Sequence, residues 1–380
     1  MTDFDFLIIG SGIAGASAGA ALAKRARVAI FEREPVHAYH TTGRSAAMWT
    51  ALYGNDVIRA LTVASRPFYD HPPSGFAEHP LLTPRPGVYF AGRANLASLD
   101  GIDDGAAELG IVTRRLDAAE IEQTCPLFRP GLLGGGLVEP NSADIDVNAL
   151  HQGYLRLAKA AGADIRTDAE VVALEQGPAG WNVRLADDQR VTARVIVDAA
   201  GAWADTVAAM AGAHPAGLAP LKRTAFLVEA PAGLETRGWP SMIEADETFY
   251  FKPDSGRLLI SPCDETPSAP CDAWAEDIDV AECVERLQAW VDLPVRRIIR
   301  SWAGLRTFAP DRTPVIGYDG AIANFFWLAG QGGYGVQTAP AAGRLAAALA
   351  MGDPAPADIT ALGLKTERLA PGRAYVDVTH

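Results

Sequence analysis

Gly10-Ser11-Gly12-Ile13-Ala14-Gly15 sets three glycines where a chain can turn tightly, bring its backbone close to an anion and open a helix. This spacing carries chemistry in one setting only: a buried strand before it, a helix after it, and an acid ending the next strand. The helix N-terminus then holds a pyrophosphate, while the acid takes the ribose hydroxyls. All three conditions are met. Phe4 to Ile9 is a short apolar run that stops at Gly10, and Ile13 to Arg25 is Ala-rich with basic residues at its end. Arg27 to Phe31 is a second apolar run, stopping at Glu32. The segment reads as a site for an adenosine-containing dinucleotide, and an acid at Glu32 disfavours a 2′-phosphate. The plain alternative is a glycine turn that only packs strand on helix. A second glycine-rich stretch, Gly330 to Gly335, opens an Ala-rich helix near the other end of the chain.

The elements that must position these residues follow from periodicity. Strand, turn, helix and strand within about 30 residues make a βαβ unit, whose sheet is parallel and buried on both faces. Tyr39 to Gly54 is polar and glycine-punctuated, a loop leading into a helix. The prolines of His71 to Gly87 mark a rigid crossing. Asp117 to Thr124 reads as a short surface helix and Asp146 to Ala161 as a longer one. Ala169 to Leu174, Trp181 to Leu185 and Arg190 to Val197 read as strands. Lys222 to Glu229, Thr248 to Lys252 and Arg257 to Ser261 are further strands, with hairpin-turn residues at Pro253 to Gly256. Trp302 to Gly317, Phe325 to Leu328 and Gln331 to Ala350 read as strand, glycine loop and helix. The expected class is α/β, a Rossmann-like cofactor domain with a second α+β substrate domain on an antiparallel sheet. Residues 1–85, 145–215 and 300–380 are assigned to the first, and 86–144 and 216–299 to the second.

Composition excludes other classes. The 380 residues are 49% hydrophobic and 21% charged, enough for a large core. A net charge of -13 repels a phosphate backbone, so nucleic acid is not an expected partner. Cys125, Cys263, Cys271 and Cys283 form no C-x-x-C pair and read as free thiols of a reducing cytoplasm. The seven histidines have no metal-site spacing, so no metal is expected. Met1 to Asp5 carries two acids and no positive charge, unlike an export signal, and no apolar run of 18 residues is present. A cytoplasmic protein without an integral membrane segment is the expectation.

Separated motifs in a fixed order now matter together: Glu32-Arg33-Glu34, Thr42-Gly43-Arg44-Ser45-Ala46-Ala47, Ala199-Ala200-Gly201-Ala202-Trp203, Gly304-Leu305-Arg306, and Gln331-Gly332-Gly333-Tyr334-Gly335-Val336-Gln337-Thr338. With them the chain resembles the D-amino acid oxidase and glycine oxidase superfamily of FAD enzymes along nearly its whole length, most closely the bacterial D-arginine dehydrogenase branch. The resemblance implies FAD, held non-covalently because no cysteine stands in Gly330 to Thr338. Arg33, Thr42, Arg44, Ser45 and Ala46 are then expected to line the flavin, with Val171 near the adenine. Glycine-rich turns such as Gly332-Gly333 let backbone approach the ring.

The same resemblance makes Arg223, Tyr250 and Arg306 a clamp for a substrate carboxylate, Tyr53 a further site residue, and the Gly333 carbonyl an acceptor from the substrate amine. It implies hydride loss from the Cα of a D-amino acid, giving an imino acid and then a 2-oxo acid and ammonia. Two departures narrow the substrate. Gly87 stands where the D-arginine branch has a glutamate, and Met48, followed by Trp49, where it has a histidine. A wall of this kind suits neutral or apolar substrates, because a buried cationic side chain needs a partner. The competing expectations are oxidation of a secondary or cyclic amine or a 2-hydroxy acid, an NAD-linked dehydrogenase, and a non-catalytic flavin-binding subunit. The electron acceptor, whether quinone, electron carrier or oxygen, is left open.

Overall fold

A computed structural model of the chain describes residues 2–375. The strand Phe4–Ile9 lies at the centre of an eight-stranded sheet, parallel on one side to Val28–Phe31 and on the other to Arg190–Asp198. Its last four residues are buried, as are all of Val28–Phe31, which is why both read as unbroken apolar runs. Asp164–Arg166 and Phe325–Ala329 extend the parallel part at its two sides. Val171–Gly177, Gly180–Leu185 and the first half of Arg190–Asp198 form an antiparallel meander beside it.

A second, ten-stranded sheet is mostly antiparallel. At its middle, Ala219–Glu229 lies between Ile298–Phe308 and Arg257–Ser261, followed by Tyr250–Asp254, Ser241–Glu244, Gly87–Gly92 and Leu133–Glu139. The hairpin joining Tyr250–Asp254 to Arg257–Ser261 turns at Ser255 (φ 51°) and Gly256 (φ 78°), the pair of positive φ values a two-residue turn needs. One face of this sheet packs Phe226, Val228, Phe251 and Ile260 against Val280, Cys283 and Leu287 of the helix Asp277–Trp290. A third, small sheet joins Met48–Trp49, Ala143–Ile145 and Leu82–Pro84.

Two boundaries differ from the sequence reading. The expected single strand Trp302 to Gly317 is two strands, Ile298–Phe308 and Val315–Tyr318, in different sheets. Between them the chain turns at Arg312 (φ 56°), whose amide donates to Ala309 O at 2.8 Å, and Pro310 and Pro314 interrupt strand pairing. Ile298–Phe308 therefore sits in the larger sheet beside Ala219–Glu229, with Gln331–Gly332 on its other side. The late helix begins at Gly335 and runs to Met351.

That helix crosses Ile13–Leu22 at close range, which sets the second glycine loop beside the first. A Cβ on Gly343 would lie 2.8 Å from Ser17 Cβ and 2.9 Å from its carbonyl carbon. Gly343→Val is expected to force the helices apart and cost about 1–3 kcal/mol, read as a lower urea midpoint; an unchanged midpoint contradicts this packing.

Candidate functional site

A long cleft runs from the first glycine turn to the edge strand Gln331–Gly332 of the larger sheet. Gly10, Gly12, Ile13 and Ala14 line one end with Glu32, Arg33 and Val171. Gly10 has φ 103°, and a Cβ there would fall 2.5 Å from Ala199 O, so only glycine fits between the two strand ends. Gly12 caps the helix Ile13–Leu22 without any side-chain bond. Of the first amides, that of Ile13 donates to Thr42 Oγ1 at 3.0 Å. Glu32 is buried; its Oε2 accepts from the Ser11 amide (2.9 Å) and hydroxyl (2.8 Å), and its Oε1 from the Glu34 amide. Under this turn His37 Nδ1 lies 2.8 Å from Ser11 Oγ and His151 Nε2 lies 2.7 Å from Ser11 O. Burial lowers the pKa of both histidines.

The cleft continues past Thr42, Arg44, Ser45 and Ala46, then Ala200, Gly201, Trp203 and Gly304, to Gly332, Gly333, Gly335 and Val336. Arg33 lies over the Trp203 ring, 5.2 Å from its centroid. Arg44 is spent on its neighbours, donating to Ala273 O (2.7 Å) and Ala303 O (3.0 Å) and pairing with Asp272. Two buried polar atoms on the wall, Thr307 Oγ1 and Gln331 Nε2, have no partner. A glycine turn at one end and unspent polar groups at the other fit a long dinucleotide with a polar ring system, which FAD is.

Not every predicted cofactor residue touches this cleft. Gly15 and Gly43 serve packing: a Cβ would lie 2.0 Å from Gly10 O in the first case and 2.4 Å from Ala38 O in the second. Tyr334 and Thr338 lie behind the loop, the Thr338 hydroxyl donating to Tyr334 O. Ala47 and Gln337 line an adjoining pocket instead.

That pocket holds all five residues expected to handle substrate. Strand register explains why. Arg223 pairs with Gly304, Leu221 with Arg306, Ala225 with Trp302, and Tyr250 with Ser261. Directly opposed residues share a face, so Arg223, Ala225, Gly304, Arg306 and Tyr250 all project from one side of the sheet. The small residues Ala225 and Gly304 leave the room that the cleft occupies. Arg306 donates to the Tyr53 hydroxyl at 2.9 Å and has no carboxylate partner among the described residues. Its guanidinium crosses Gly333 so closely that a Cβ there would sit 2.7 Å from Arg306 Nη1. Arg223 is held by Asp264 O (2.8 Å) and Glu265 (3.1 Å), and Glu265 is shared with Arg312. Burial opposes the charge of Arg223, but Tyr53, Cys263, Tyr250 and Glu265 outweigh it and raise its pKa. Burial pushes the Tyr250 phenol up to about 12, against the pull of Arg306, so it remains a proton donor at neutral pH.

Met48 lines the pocket, but Trp49 and Gly87 do not. Along an extended segment alternate side chains face opposite ways, so Met48 and Thr50 enter the pocket and Trp49 turns away beneath Arg66. Gly87 faces the same side as Tyr89, and Ser142 and Ile243 close over it at 3.2 and 4.0 Å from where its Cβ would be. Sequence reasoning missed Thr50, Tyr89, Ile243, Glu247 and Cys263 on the pocket wall. None belongs to a local motif; only the sheet register brings them together. Burial pushes the Cys263 thiol up to about 11. Among the described residues no helix is long and apolar enough to cross a membrane, and no acidic, histidine or cysteine cluster could hold a metal.

A family model for FAD-dependent oxidoreductases, DAO, matches residues 5–349. Glycine oxidase of Geobacillus kaustophilus is 25% identical over 373 residues, covering 91% of this chain and 92% of its own. The glycine oxidase structure from the same organism shares the fold, with TM-score 0.82 and 22% identity over 98% of this chain and all of that one. So does iminodiacetate oxidase of Chelativorans sp. BNC1, with TM-score 0.77 and 24% identity over 96% of this chain and 98% of that one. Mouse mitochondrial dimethylglycine dehydrogenase is 26% identical over 250 residues, 60% of this chain; the aligned part is 28% of that much longer protein. With its family model spanning both sheets and its cleft shaped for the dinucleotide, this chain belongs to the DAO family of FAD-dependent oxidoreductases.

Proposed function

We propose that the chain oxidises the α-carbon of D-amino acids with neutral side chains. One observation carries the reading: Arg306, with no carboxylate partner among the described residues, shares a sheet face with Arg223 and Tyr250 where the pocket meets the cleft. Two guanidiniums and a phenol make a receptor for a single carboxylate, each charge-assisted bond contributing about 1.5–3 kcal/mol. Bound FAD supplies the two-electron acceptor: the substrate loses a hydride from Cα and a proton from its amine, and water hydrolyses the imino acid to a 2-oxo acid and ammonia. Arg306 and Arg223 fix the carboxylate, the Gly333 carbonyl accepts from the amine, and Tyr53 braces Arg306. Orientation against the cleft then lowers the barrier. Residues 1–85 and 145–215 and the late helix serve the cofactor in this reading, while 86–144, 216–299 and the strand through Arg306 serve the substrate. Glycine oxidase and iminodiacetate oxidase, by their names, act on amines that carry carboxylates, which supports the reaction class.

A second reading, a basic side chain as in D-arginine, is favoured by one residue. Glu247 is exposed at the pocket, makes no ion pair among the described residues, and holds a left-handed conformation (φ 54°). It offers a carboxylate that Gly87 does not.

Arg306→Ala is expected to retain flavin and to lose on the order of a hundredfold in kcat/KM for an amino acid, and far less for its amide, which lacks the carboxylate. Equal loss on both substrates would remove the clamp from the account. Glu247→Gln separates the two readings: under the first, D-leucine and D-lysine keep their ratio of kcat/KM; under the second, D-lysine alone falls about tenfold.

A further inference from the structure

Glu139 is 1% exposed at the end of the strand Leu133–Glu139, yet among the described residues it makes no ion pair. Its Oε2 accepts from the Thr50 hydroxyl at 2.6 Å and the Leu52 amide at 3.4 Å, and its Oε1 from the Ala51 amide at 2.9 Å. The Thr50 hydroxyl also lies 3.2 Å from the Tyr89 hydroxyl. Thr50 and Tyr89 line the substrate pocket, whereas Glu139 lies one bond behind them. Gly87, directly opposite Glu139 in the sheet, has no side chain to compete for that space. A carboxylate buried without a cation is costly, so its place beside a pocket calls for a reason.

Resting on the amine oxidation proposed above, we propose that Glu139 is a positioning residue that receives the substrate's ammonium proton through Thr50. The step balances as a proton relay. The ammonium N–H proton passes to Thr50 Oγ1, the Thr50 hydroxyl proton passes to Glu139 Oε2, and the substrate keeps its nitrogen lone pair for loss of hydride from Cα. Among the described residues, no histidine lines the pocket to do this. Burial raises the carboxyl pKa of Glu139, against the bonds from Thr50, Ala51 and Leu52, which moves it towards the range of an effective base. Among neighbouring titratable groups, Tyr89 is held neutral by burial and by Glu139 itself. Arg66 on the helix Asp56–Asp70 is engaged by Asp70 and Asn141 O, and Asp144 by Arg85 and Lys252.

The test is anaerobic reduction of the flavin-loaded protein by its best amine substrate, followed at 450 nm from acid to alkaline pH for wild type, Glu139→Gln and Thr50→Val. Glu139 must be ionised to accept a proton, so the wild-type rate is expected to rise with pH through its raised pKa and then level off. Both variants should be slowed on the order of a hundredfold at neutral pH, with the rising limb displaced to the alkaline range where free substrate amine is abundant. A loosened loop would instead raise KM and leave the profile in place. If Glu139→Gln fails to fold, Thr50→Val decides, since it breaks the path and leaves the carboxylate. A wild-type profile in a folded, flavin-loaded variant overturns the relay alone. Bleaching of wild type by 2-hydroxy acids and by no amine overturns the proposed function, and the relay with it.

Discussion

The constraint on which the site depends is the Arg306 guanidinium, which no carboxylate pairs among the described residues. Arg306 is half-buried, and its side chain donates to the Tyr53 hydroxyl at 2.9 Å. Its orientation comes from backbone. Register with Ala219–Glu229 points it to the same face as Arg223, and Gly333 lies so close that any larger residue would displace it. On the proposed function, a substrate carboxylate completes this arrangement.

Arg223 shows the contrast. It is tied to Glu265 and Asp264 O, and Glu265 is itself shared with Arg312, so this guanidinium is fixed as well as buried. One arginine is tied to a carboxylate and a backbone carbonyl, the other to a tyrosine hydroxyl. Behind them Glu139 holds Thr50, Ala51 and Leu52, the turn that leads to Tyr53. The loop from Thr42 to Tyr53 thus reaches the first glycine turn through Thr42, the substrate pocket through Met48 and Thr50, and Arg306 through Tyr53.

The cofactor end was legible in the sequence because its physics is local. Three glycines, a strand on either side and Glu32 lie within about 30 residues, and each condition can be read from spacing. The substrate end was not local. Arg223, Tyr250 and Arg306 come from three strands, and only their likeness to a known family singled them out. Glu139, Thr50 and Tyr89 escaped notice because nothing in spacing sets residue 139 beside residue 50. Trp49 was misjudged because strand alternation turns it from its neighbours, and the strand expected from Trp302 to Gly317 was cut by two prolines that an apolar pattern hides.

On the proposed function, the anion that pairs with Arg306 is the carboxylate of an amino acid oxidised at Cα. The most direct measurement is the flavin absorbance of the purified protein without oxygen, mixed in turn with pools of D-amino acids, L-amino acids, N-methyl amino acids and 2-hydroxy acids. The account predicts bleaching by the D-amino acid pool and its loss when that pool is converted to amides. Bleaching by the 2-hydroxy acid pool alone, or equal bleaching by acids and amides, would contradict it.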